Sequence, residues 1–181
     1  MVKFSHQELL QRREKERFQF PFCAVLNNIR SLYNVGSIFR TADAAGVEKL
    51  WLCGITGIPP SEKISKTALG AEKSVAWEYC QNARECLERL KARGYQIVLL
   101  EQTPQSLSYE EYRPEGPVCL VLGNERSGVT EDILPFCGRA VEIPMSGLKI
   151  SLNVTVAFGI AAYHIRGHLA SKSFVAGRSL Q

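Results

Sequence analysis

The sequence predicts an α/β domain with a mainly parallel sheet and helices on both faces. Two observations carry this: short apolar runs bounded by turn residues recur along the chain, and segments with helical spacing lie between them. The length of 181 residues adds a third, since it suits one domain with a full core better than two small ones.

The segment Ser5–Arg17 is charged and fits an amphipathic helix, capped by Ser5 with Glu8 three residues on. The body opens with the apolar run Phe22–Leu26. Leu50–Cys53, Gln96–Leu100, Val118–Leu122 and Ala140–Ile143 are of the same type, as strands covered on both faces would be. Helical spacing marks Val35–Ala45, Ser61–Leu69, Ala83–Arg93 and Val154–Leu169. Ala83–Arg93 is the best delimited, with Asn82 and Glu85 forming a near capping box and Gly94 following its basic end. The chain thus divides into a basic, helical N-terminal extension at 1–21, a domain at 22–169 and a flexible basic tail at 170–181.

Composition narrows the function classes. No apolar run approaches the roughly 20 residues that cross a bilayer, and the charged N-terminus lacks a secretory core, so a cytoplasmic protein is expected. Of the six cysteines, Cys23, Cys53, Cys119 and Cys137 lie in or beside apolar stretches and read as buried thiols. Cys80 and Cys86 fit no zinc-ligand spacing, so no metal is expected. The net charge is +4, but residues 1–22 carry five basic and three acidic side chains, and 164–181 carry three basic and none acidic. The two ends together hold +5 and leave a body of −1, a distribution suited either to a polyanion or to two solvated tails.

In parallel sheets, ligands bind at the carboxyl ends of strands, and three loops stand out there. The first is Asn27–Arg40. Asn34 is a candidate helix cap, Gly36 would admit a close backbone or ligand, and Arg40 shares a helical face with Gly36. Arg40 could act on a substrate or pair with Asp43 or Glu125.

The second loop follows Val118–Leu122 and reads Gly123-Asn124-Glu125-Arg126-Ser127-Gly128-Val129-Thr130. Strand followed by Gly-x-x-x-x-Gly imitates a phosphate-binding loop, yet Val129 stands where the lysine is needed and Glu125 would repel phosphates. No Gly-x-Gly-x-x-Gly follows any predicted strand, so dinucleotide binding is excluded as well. What remains is a glycine-flanked turn, with Thr130 available as a cap, whose carboxylate could meet a cation such as a sulfonium.

The third loop runs from Ile143-Pro144-Met145 to Ser151-Leu152-Asn153. Pro144 ends a strand, and Ser151 or Asn153 could cap the following helix or line a pocket. His164 and His168, four apart in that helix, read as solvent-facing or RNA-facing residues in preference to a metal pair.

Taken in order, Asn34-x-Gly36-x-x-x-Arg40, Leu122-Gly123-Asn124-Glu125-x-x-Gly128 and Ile143-Pro144-Met145-x-Gly147 with Ser151-Leu152-Asn153-Val154 resemble the three motifs of the SpoU/TrmH branch of the SPOUT methyltransferases. The resemblance covers roughly residues 22–168. It implies a C-terminal deep trefoil knot, a homodimer and S-adenosyl-L-methionine as cofactor, with ribose 2′-O-methylation of structured RNA as the activity. tRNA is favoured as the substrate because so little chain precedes the first strand, and rRNA is the alternative. By position, Leu122, Gly123, Ile143, Met145 and Leu152 would contact the cofactor, and Asn34, Arg40, Glu125, Ser151 and Asn153 would surround the ribose and the methyl group. The resemblance gives Arg40 the role of base; since guanidinium stays protonated, a phosphate clamp that stabilises the alkoxide is the alternative. A catalytically silent RNA-binding homologue is the competing reading.

Overall fold

A computed structural model describes residues 3–16 and 18–175, and the side chains among these up to residue 171. Seven strands form one sheet in the order β3-β2-β1-β6-β4-β7-β5, and every pairing is parallel. They are β1 (Phe20–Asn27), β2 (Val47–Cys53), β3 (Ala76–Cys80), β4 (Gln96–Leu100), β5 (Leu107–Ser108), β6 (Val118–Leu122) and β7 (Arg139–Glu142). The helices are α1 (His6–Glu16), α2 (Leu32–Ala45), α3 (Glu62–Ala68), α4 (Ala71–Ser74), α5 (Ala83–Ala92) and α6 (Val154–Val175), with a 3₁₀ segment at Glu131–Phe136.

The alternation of side chains along each strand builds two cores. Phe22, Ala24 and Leu26 of β1, Leu50 and Leu52 of β2, and Leu120 and Leu122 of β6 face α2, α3 and α6. Cys23, Val25, Trp51, Cys53, Cys119 and Val121 point the opposite way, toward α5 and the 3₁₀ segment. Both faces are therefore covered, which is why these strands read as continuous apolar runs.

The five expected strands are present. β1 starts two residues early and β2 three residues early. β3 and β5 were not expected: β3 is a sheet-edge strand whose residues are exposed or half-buried apart from Cys80, and β5 has two residues, so neither carries an apolar run. The Ser61–Leu69 segment ends one residue early, because Leu69 takes a left-handed conformation before the short α4.

Asn82 and Gly94 act as expected: Asn82 accepts from the Arg84 amide, and Gly94 has φ 85°. α1 forms with the expected reciprocal bonds between Ser5 and Glu8, and it buries no residue. α6 runs on to Val175, so 170–175 is helix where a flexible tail was expected; 176–181 lies outside the described residues. His164 is half-buried and its ring nitrogen meets the Tyr112 carbonyl at 2.8 Å, which corrects its reading as a solvent-facing or RNA-facing residue. None of the described helices is long and apolar enough to cross a membrane.

Candidate active site

The carboxyl ends of β4, β6 and β7 open into a cavity of about 720 Å³, a volume suited to a ligand of nucleoside size. Leu122 and Gly123 form its floor at the end of β6, and Ile143 and Met145 follow from β7. Ser151, Leu152 and Asn153 close it at the start of α6. All five residues expected at the cofactor line this cavity, as do Asn34, Glu125, Ser151 and Asn153. Arg40 does not.

The β6 loop is held by its own backbone. Asn124 and Gly128 exchange amide–carbonyl bonds at 2.9 Å in both directions, and the Asn124 side-chain oxygen accepts from the Arg126 and Ser127 amides. Gly128 has φ 65°, and a Cβ at Gly123 would strike the Gly128–Val129 backbone. These glycines therefore close the expected turn upon itself.

Glu125 projects from that loop toward the start of α2. One oxygen accepts from the Arg30 amide at 3.0 Å; the other accepts from the Ser31 amide at 3.1 Å and from the Asn34 side chain at 2.9 Å. Partial burial raises the carboxyl, but the donations from Arg30, Asn34 and Ser31 outweigh it and hold Glu125 below the usual carboxylate range. An anion so engaged positions Asn34, which revises the expectation that it would face a cation.

The Asn34 side-chain oxygen in turn accepts from the Asn153 side-chain Nδ2 at 3.5 Å, so the chain Glu125–Asn34–Asn153 joins the β6 loop, α2 and α6 along one wall. Ser31, not Asn34, caps α2 and accepts from the Asn34 amide; this starts the helix at Leu32 and sets Asn34 in its first turn. Asn153 caps α6 by accepting from the Thr155 amide at 2.8 Å, while the Ser151 side chain lines the cavity with no hydrogen-bond partner among the described residues.

Gly36 serves helix packing. A Cβ there would meet the Ile64 carbonyl and the Thr67 hydroxyl of α3, so the close approach is between α2 and α3. Arg40 is exposed and makes no hydrogen bond or ion pair with any described residue. Neither pairing the sequence offered it exists: Asp43 accepts from the Ser74 hydroxyl, and Glu125 is engaged as described.

Sequence reasoning missed Asn28 and Gln102. Asn28 adopts φ 60°, accepts from the Ile55 amide with its side chain and from the Asn124 side chain with its carbonyl, tying the ends of β1, β2 and β6 together. Gln102 donates to the Ile150 carbonyl at 2.6 Å and pins the last loop over the end of β4. The signal for Gln102 was available: Glu101 and Gln102 are polar residues directly after a buried strand, where parallel sheets bind ligands.

The model of the SpoU rRNA Methylase family matches residues 21–163, which include every segment of the cavity wall. The chain belongs to the SpoU methylase family. Among relatives of this SpoU family member is the tRNA (guanosine(18)-2′-O)-methyltransferase of Aquifex aeolicus, 33% identical over 174 residues, or 96% of this chain and 79% of that one. Several other curated relatives are longer, and the chain spans 58–65% of their length. Among solved structures, the A. aeolicus TrmH/SpoU tRNA modifying enzyme superposes with a TM-score of 0.81 at 30% identity, covering 96% of this chain and 88% of that one. An AdoMet-bound rRNA methyltransferase from Sinorhizobium meliloti gives 0.77 at 28% identity, covering 87% of this chain and 60% of that one.

Proposed function

We propose that this SpoU family member transfers a methyl group from S-adenosyl-L-methionine to a ribose 2′-hydroxyl of structured RNA, with tRNA favoured over rRNA. The observation that carries the reading is the cavity at the ends of β4, β6 and β7, with Asn34, Ser151 and Asn153 on its wall. The AdoMet-bound S. meliloti relative supports the cofactor.

The donor set fits that group. Leu122, Ile143 and Leu152 offer apolar surface for an adenine ring, and strand-end backbone groups offer hydrogen bonds. With Glu125 engaged by its donors, Glu101 and Glu142 against Arg126 still leave the lining formally negative, which suits a sulfonium cation. The bound cofactor supplies an electrophilic methyl group on a good leaving group. The residues of this chain must make the nucleophile, which is harder, because the 2′-hydroxyl is a weak acid that has to shed its proton as its oxygen attacks. Asn153 and Ser151 orient that hydroxyl, while Asn34, fixed by Glu125, holds Asn153. Arg40 grips a substrate phosphate and stabilises the developing alkoxide, and the proton leaves to phosphate or water.

Because Arg40 stands outside its own cavity, the proposal includes a homodimer in which it completes the partner's site. Tyr33 and Arg40, seven residues apart, share the exposed stripe of α2, and Val156 and Tyr163 form a matching stripe on α6. The two helices pack together, with Thr41 beside Gly159, so the stripes make one partly apolar face beside the cavity mouth. A deep trefoil knot is part of the same proposal. The chain crosses the end of β4 going from β6 to β7, then returns over Gln102 to bring Asn153 to Asn34, and two such overlapping excursions are what a threaded C-terminus requires.

The test is incubation with S-adenosyl-L-methionine and total tRNA or rRNA, followed by nuclease digestion and mass spectrometry. A 2′-O-methylnucleoside in the tRNA arm is expected. Methyl groups on a base would overturn the reaction, and labelling of rRNA alone would overturn the substrate preference. Cofactor binding without transfer to either RNA would favour the silent homologue.

A further inference from the structure

A group of three nucleophilic side chains gathers outside the cavity, at the other end of the same row of strand termini. Cys53 ends β2, Cys80 ends β3 directly opposite it in the register, and Cys86 lies near the start of α5. Their three Sγ atoms fall within 4.8 Å of one another, and all three residues are buried, Cys80 the least at 9% exposure. Spacing along the chain hid this cluster, because Cys53 joins the other two only through the pairing of β2 with β3.

Buried cysteines pack well as small apolar groups, so proximity alone decides nothing. The surroundings go further. Arg89 directs Nη2 at the Cys80 sulfur at 3.7 Å, and the Asn82 carbonyl lies 3.1 Å from the same atom. Arg89 and Lys49 flank Glu78 at 3.6 and 2.7 Å, and both lie over the Trp51 ring, at 5.1 and 4.1 Å from its centroid. Two cations around one carboxylate leave a surplus positive charge beside the thiols. Asn27 is the register partner of Cys53 on β1, with its side chain on the same face, and its buried Nδ2 finds no acceptor among the described residues; nor does Trp51 Nε1. Orphaned buried donors of this kind call for an explanation, and a thiolate is an acceptor.

We propose that Cys53, Cys80 and Cys86 form a three-thiolate site for a thiophilic divalent ion, zinc or its analogue cadmium. Metal–sulfur bonds of about 2.3 Å set sulfur atoms roughly 3.8 to 4.0 Å apart, so the cluster contracts by less than about 1 Å to close on the ion. Binding releases three protons and forms three metal–sulfur bonds. A divalent ion with three thiolates carries one net negative charge, which the surplus cation of the Lys49–Glu78–Arg89 group balances; a monovalent ion would leave two. The Asn82 carbonyl is placed to supply a fourth ligand. The ion would tie the edge strand β3 and α5 to β2, a structural role independent of the methylation reading.

The test uses the reduced, metal-free, tag-free full chain titrated with cadmium without oxygen, followed by the ultraviolet thiolate-to-cadmium charge-transfer band and by proton release. Saturation at one ion per chain with three protons released is expected, together with a higher melting temperature and displacement of cadmium by zinc. Cys86→Ala should lose the band and Cys137→Ala should keep it. Absence of a stoichiometric band in the unmodified chain overturns the site without recourse to any variant, and so does an undiminished band in a folded Cys86→Ala.

Discussion

The side-chain amide of Asn34 donates to the Glu125 carboxylate at 2.9 Å across 91 residues of sequence. The same carboxylate takes the Arg30 and Ser31 amides, so one anion holds the β1–α2 loop, the first turn of α2 and the β6 loop together. All three of these partners are donors, and that makes its charge, rather than its shape, the feature to remove.

Glu125→Gln keeps the shape and turns an NH2 toward those donors. After allowance for solvent exposure, a stability loss of about 1 kcal/mol is expected, or roughly 2 to 4 °C in melting temperature. Methyl transfer should fall by about tenfold or more as Asn34 loses its anchor. The pH dependence has a definite sign. Glu125 is held below the ordinary carboxylate range, so its contribution is present above the unfolded value of about 4.3 and is lost as pH falls through the lower folded value. Melting curves of both proteins from neutral pH downward should therefore converge only below about pH 4. A gap that closes between pH 7 and 6 would rule this network out as its source.

Gly36→Ala tests the contact between α2 and α3. The added Cβ meets the Ile64 carbonyl, which cannot turn aside as a flexible side chain would, so one of the helices must move. Overpacking of this kind costs about 1 to 3 kcal/mol, or roughly 2 to 12 °C in melting temperature. An unchanged melting temperature would mean that the two helices have slack the structure does not show.

The same glycine shows how far the sequence could be read. Its position in α2 and the need for close approach were legible, but what approached was not, because α3 arrives from more than 20 residues away. The five apolar strands declared themselves because both faces are buried, whereas β3 at the sheet edge and the two residues of β5 bury too little to leave a pattern. Site residues were legible as types at strand ends. Their division of labour was not: Ser31 rather than Asn34 caps α2, a local choice between two polar residues that can both cap, and Glu125 is occupied by donors more than 90 residues away, a fact of tertiary geometry. The cysteine cluster was hidden for the same reason, since register, not spacing, sets Cys53 against Cys80.

Gln102→Ala removes the bond to the Ile150 carbonyl and frees the loop that carries Ser151 and Leu152 into the cavity. The loop is exposed, so global stability should hardly change. Calorimetry with S-adenosyl-L-methionine should show the dissociation constant rising about fivefold, the equivalent of roughly 1 kcal/mol for one hydrogen bond. Equal affinity in the two proteins would show that the loop is set by its other contacts.

Arg40 gives the sharpest test, because it separates stability from chemistry and one protomer from two. It has no partner among the described residues, so Arg40→Ala should melt within about 1 °C of the unmodified chain while losing methyl transfer. Arg40→Lys keeps the charge but loses the planar fork; if the fork positions phosphate, activity stays low at raised pH, whereas a base or point-charge role would let it recover. Mixing Arg40→Ala with Asn153→Ala, each inactive alone, tests the dimer. If Arg40 completes the partner's cavity, each mixed dimer holds one intact site, and statistical exchange restores about a quarter of the unmodified activity. If Arg40 serves its own cavity, every site stays broken and mixing restores nothing.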